Sequence, residues 1–151
     1  MLSTCNNGTP TAITALALLA RYLVASPADL HLSHLATETL DHLEHRDPMK
    51  VGLLARELAL AAFRDLTERV STIVTISVYD IDTLAPLVSE AAAELQARLA
   101  GADSLLEFYD CGEDPRFSRL AGLPGIALHY RPPRFGRERN KKTHSGLQCF
   151  R

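Results

Sequence analysis

Apolar residues recur at helical spacing along Ile13, Leu16, Leu19, Ala20 and Leu23, the period that lines one face of an α-helix. Thr9-Pro10 stands before them as an N-cap and a first-turn proline, so the pattern predicts a helix over 10–25. The signal repeats at Ser26-Pro27-Ala28-Asp29, a capping-box-like start. Its stripe of Leu32, Leu35, Ala36, Leu40 and Leu43 predicts a second helix to Arg46. Asp47-Pro48 opens a third helix with Leu54, Leu58, Ala62, Leu66 and Val70 towards the core, and Arg64–Glu68 and Asp65–Arg69 as outward i,i+4 pairs.

The period then changes to two. In 72–79, Val74, Ile76 and Val78 alternate with Thr75, Ser77 and Tyr79, the pattern of a half-buried strand. Leu84, Leu87, Val88, Ala91, Leu95 and Leu99 predict a helix over 83–100 that stops at Gly101, and 104–110 reads as a second strand. Strand, crossover helix and strand make a βαβ unit with parallel strands. Asp114-Pro115 caps a short helical turn to Gly122, and Ile126, Leu128 and Tyr130 alternate in a third strand. The predicted class is α+β: three N-terminal helices, then the βαβ unit and a third strand in a small three-stranded mixed sheet covered by helices. There is no internal repeat of solenoid period.

A chain of 151 residues fits one domain. With 46% hydrophobic and 23% charged residues it is neither wholly disordered nor fibrous. Charge is divided unevenly. Residues 1–130 hold 9 Lys/Arg against 17 Asp/Glu, whereas 131–151 hold Arg131, Arg134, Arg137, Arg139, Lys141, Lys142 and Arg151 against Glu138 alone. The expectation is a compact acidic domain over 1–131 and a basic, flexible tail over 132–151, where Pro132-Pro133, Gly136 and Gly146 leave few apolar groups to offset ordering. Cys5, Cys111 and Cys149 are an odd, widely spaced set, which suggests neither a disulfide framework nor a zinc ribbon and points to a reducing, cytoplasmic setting. The apolar stretch from Ala12 to Ala20 has no Lys or Arg before it and is ended by Arg21, so neither export nor a membrane span is expected.

Three groups of residues carry candidate chemistry. On the second predicted helix, His31, His34, Glu38, His42 and His45 fall within an arc of roughly 80° at 100° per residue. Imidazoles at such spacing share a divalent metal, although the plainer reading is the wet face of an amphipathic helix. The two predicted parallel strands end in Tyr79-Asp80-Ile81-Asp82 and Tyr109-Asp110-Cys111-Gly112-Glu113-Asp114. Asp80, Asp82, Asp110 and Asp114 at one sheet edge would hold Mg²⁺ for phosphoryl chemistry, or serve only as helix caps and solvated loop residues. Cys111 among these acids would be a poor nucleophile. In the tail, Arg131, Arg134, Arg137, Arg139, Lys141 and Lys142 attract phosphates, and Phe135 and Phe150 offer surfaces for bases to stack on.

Gly-x-Gly-x-x-Gly, the phosphate-binding Gly-x-x-x-x-Gly-Lys-Ser/Thr, His-Glu-x-x-His and Gly-x-Ser-x-Gly do not occur, which disfavours nucleotide-dependent and α/β-hydrolase chemistry. The leading expectation is a small non-enzymatic interaction or regulatory protein without a cofactor. It would bind another protein, a second copy of itself or, through the tail, nucleic acid. The alternatives are a metal-dependent phosphoesterase or nuclease acting through the strand-end carboxylates, and a protein that binds a divalent metal on the histidine face.

Overall fold

A computed structural model describes residues 6–28, 51–101 and 105–151. In chain order these form α1 (Pro10–Ala15), β1 (Tyr22–Ala25), α2 (Val51–Arg69), β2 (Val74–Asp80), α3 (Ile81–Ala100), β3 (Phe108–Asp110), β4 (Ile126–Arg131) and β5 (Gln148–Phe150). The class is α+β, with three helices and a three-stranded sheet among the described residues. The sheet is antiparallel in the order β1-β2-β4, and β3 and β5 form a separate antiparallel pair.

The first expected helix is shorter than its period suggested. Thr9 caps α1 by accepting from the Ala12 N–H at 3.1 Å, but the helix ends at Ala15 and the chain re-enters as β1. Tyr22–Ala25 pairs with Ser77–Asp80 of β2, and this long-range ladder outweighs the local helical period. Leu19, which that helix would have buried, is 79% exposed in the turn between the two elements. The second expected helix begins in the described residues only at Ser26, whose Oγ accepts from the Ala28 N–H. Its stripe and its histidine face lie outside the described residues.

β2 is buried on both faces rather than one. Val74, Ile76 and Val78 pack with Val24 against Ala55, Ala59 and Leu66 of α2. Tyr79 faces the other way with Leu23 and Ala25, onto Ile13 of α1 and Leu84, Val88, Ala91 and Leu95 of α3. The sheet is thus the middle of three layers. Because β1 and β4 flank both edges of β2, no edge is left for a parallel β3, and the strand expected to complete the βαβ unit pairs with β5 instead.

That pairing changes the picture of the basic segment. Leu147, Cys149 and Phe150 are at most 3% exposed and join the cluster around α3, and Cys149 is disulfide-bonded to Cys111. The chain beyond Pro132 is therefore not a free tail: its far end is tied into the core, and the expectation of an unpaired cysteine set is overturned with it. Gly146 makes the return tight. It has φ +84°, and a Cβ there would stand 2.8 Å from Ile126, while its carbonyl accepts the fully buried Tyr79 hydroxyl at 2.6 Å. We expect Tyr79→Phe to lower stability by about 1 kcal/mol through loss of this bond. Urea unfolding checks it, and an unchanged midpoint would show that the contact contributes nothing.

Candidate functional site

Asp110 ends β3 and is 7% exposed. A buried carboxylate is costly unless donors surround it, and here they converge from two segments. The Gly112 N–H donates at 3.1 Å, the Ser145 N–H at 3.1 and 3.2 Å and the Ser145 hydroxyl at short range, while the Lys141 ammonium lies 3.0 Å away. Burial pushes the Asp110 pKa up, but Ser145, His144, Lys141 and Gly112 outweigh it and leave the group below its usual value. Lys141 also pairs with Glu113 at 2.6 Å, and its carbonyl accepts the Tyr130 hydroxyl. His144 receives the Gly146 N–H on Nδ1 at 2.9 Å, which places its proton on Nε2. Burial holds its pKa below the usual imidazole value despite the pull of nearby Asp110.

Asp110, Glu113, Lys141 and His144 line a cavity of about 690 Å³, open to solvent and walled also by Glu107, Tyr109, Asp114, Arg116, Glu138, Gln148 and Arg151. Its charges are largely paired. Arg116 grips Asp114 through two nitrogens at 3.0 and 2.7 Å, the Tyr109 hydroxyl donates to the same carboxylate at 2.9 Å, and Arg151 pairs with Glu107 at 2.9 Å.

Of the four carboxylates read from the strand ends, Asp110 and Asp114 share this cavity. Asp80 and Asp82 sit at the start of α3, where Asp80 caps the Thr83 N–H at 3.5 Å and Asp82 lies 3.8 Å from Arg21. Asp80 lines a different cavity, with Tyr22, Arg56 and Gly125. Among the described residues no three His, Cys, Asp or Glu side chains gather as a metal would need, and His31, His34, Glu38, His42 and His45 lie outside them. Cys111 is not a thiol but half of the disulfide.

The six cations of 131–142 divide into two groups. Arg131 donates to the carbonyls of Val70, Thr72 and Pro132, and Arg134 to that of Thr67, so both hold the C-terminal end of α2, where unpaired carbonyls favour cations. Lys141 is held by Asp110 and Glu113. Arg137, Arg139 and Lys142 are exposed, and Phe135 between the two groups is 75% exposed. Gly136, at φ +90° and ψ −173°, takes the turn after Phe135 in a conformation that side chains resist. Phe150, the other aromatic expected to meet bases, is buried and packs edge-on against Phe108.

Sequence reasoning missed His144, Ser145 and Gln148. The available signal was the three apolar residues Leu147, Cys149 and Phe150 close together near the end of the segment, which a solvated tail has no physical reason to carry. Comparison with protein-family models, curated proteins and solved structures finds no match. Among the described residues no helix is long and apolar enough to cross a membrane.

Proposed function

We propose that the chain is a non-enzymatic binding domain that captures a polyanionic macromolecule through the loop from Pro132 to Lys142, with single-stranded nucleic acid as the partner that fits best. The observation that carries this reading is Phe135, a large aromatic at 75% exposure in the same loop as the exposed Arg137, Arg139 and Lys142. Aromatic faces stack on unpaired bases, while Arg and Lys neutralise the adjoining phosphates. A loop held at one end by β4 and at the other by the Asp110 contacts loses less freedom on binding than a free tail would. The acidic remainder of the chain repels phosphates and so favours contact on this loop alone. The disulfide supports an oxidising setting over the cytoplasmic one that the cysteine count suggested.

Titration of a single-stranded oligonucleotide at several salt concentrations tests the reading. Replacing Arg137, Arg139 and Lys142 with alanine should lower the slope of log affinity against log salt by about 2, near 0.7 for each lost phosphate contact. Phe135→Ala should weaken binding by roughly tenfold with the slope unchanged, the loss of one stacked base. Retention of full affinity by both variants would overturn the proposal. Binding that depends on the cations and not on Phe135 would point to an acidic protein surface.

A further inference from the structure

β4 is an edge of the three-stranded sheet and pairs with β2 on one side only. Which of its backbone groups look away from β2 follows from the ladder. The Asp80 N–H donates to the Gly125 carbonyl at 2.8 Å, one step before the pair Tyr79 and Ile126. Alternate residues of an antiparallel strand bond to the same neighbour, so Ala127, His129 and Arg131 continue that ladder, while Ile126, Leu128 and Tyr130 turn their N–H and C=O outward. Among the described residues no backbone group bonds to these three from the outer side. The strand is half-exposed along its whole length, whereas Leu23, Val24 and Ala25 of the opposite edge are buried. Sheet edges are ordinarily protected by shortness, a bulge, a proline or a charge. β4 is six residues long against four in β1, its pairing with β2 is unbroken, and Pro124 and Pro132 stand outside it. Its one arginine, Arg131, is turned onto the carbonyls of Val70 and Thr72.

We infer that β4 pairs antiparallel with β4 of a second copy, about a two-fold axis at Leu128, joining the two sheets into one. In that register Ile126 faces the partner's Tyr130 and Leu128 faces the partner's Leu128, so every outward N–H meets an outward carbonyl. The side chains of these residues then form cross-strand aliphatic and aromatic pairs, which stabilise a ladder. Charge selects the antiparallel sense. Arg131 meets the partner's Gly125 and His129 the partner's Ala127, whereas a parallel copy would set each cation against its own equivalent, which is unfavourable. An acidic peptide gains little on this edge, because Ile126, Leu128 and Tyr130 are uncharged and Arg131 and Arg134 are already held by the carbonyls of Val70, Thr72 and Thr67. A two-fold contact of one edge with itself closes at two copies. This inference does not depend on nucleic-acid capture by the loop.

Sedimentation equilibrium of the oxidised full chain over a wide dilution series, with amide exchange followed by NMR in the concentrated and dilute samples, tests it. The mass at the concentrated end should be twice the 16.6 kDa of one chain. In the dimer the amides of Ile126, Leu128 and Tyr130 should exchange severalfold more slowly than in the monomer, while those of Ala127, His129 and Arg131, already bonded to β2, are protected in both. Leu128→Pro removes one outward N–H, leaves the β2 ladder intact as proline does on an edge strand, and should hold the chain at the mass of a monomer. If that variant does not fold, the exchange pattern of the wild type decides alone. A single-chain mass at every concentration would overturn the inference, and so would growth beyond two chains. A dimer whose outward amides stay unprotected would place the contact elsewhere and overturn it too, as would a folded Leu128→Pro variant that dimerises as the wild type does.

Discussion

Replacing both Cys111 and Cys149 with serine is expected to lower unfolding free energy by about 3–4 kcal/mol, the loop-closure scale for a bridge of this span. The bond joins residues 38 apart. The ladder alone would hold this segment weakly, because β5 is three residues long and its strand partner is the equally short β3. Two such strands cannot stand alone in water. In the serine variant Leu147 and Phe150, now buried, should gain access to solvent, and the amides of 144–150 should exchange faster than those of β2. Urea unfolding of the wild type with and without a reductant gives the same comparison without mutation. Equal midpoints in the two conditions would show that the bridge does not form.

Asp110→Ala is the second large effect expected, about 3–5 kcal/mol, because removing one partner from a buried charged network strands the others. Gly112, Ser145 and Lys141 would all lose their common acceptor. Asp110→Asn keeps one acceptor oxygen and should cost less. The same site predicts how stability responds to acid. His144 has a folded pKa below its usual 6.5, so the unfolded chain binds that proton first, and its contribution is present above 6.5 and is lost as pH falls through the folded value. Asp110 also lies below its usual 3.8, so its contribution survives further and disappears only as pH falls below 3.8. Denaturant midpoints measured from neutral pH downward should therefore fall in two stages. In Asp110→Ala the lower stage should shrink, and identical profiles for the variant and the wild type would remove Asp110 from this role.

The long periodic segments were legible from the sequence. The stripe through Leu54, Ala62 and Leu66 defines α2, that through Leu84, Val88, Ala91 and Leu95 defines α3, and the alternation in 74–78 marks β2, because the repeat of each element is written in its own consecutive residues, although β2 is buried on both faces. Thr9 capped its helix as read, and Arg69 pairs with Asp65 at 2.7 Å as its spacing required. The charge division at Pro132 was likewise a property of composition. What tertiary structure alone decided is partnership. Helical spacing in 16–23 gave way to β1 because pairing with β2 satisfies a row of backbone groups on a distant segment, which no local period records. The strands flanking β2 came from residues 22–25 and 126–131 rather than from 108–110, so Asp80 and Asp110 ended in different cavities. The basic segment became a pinned loop because Leu147, Cys149 and Phe150 meet apolar groups and Cys111 from elsewhere in the chain, contacts whose strength depends on distance in space and not on distance in sequence.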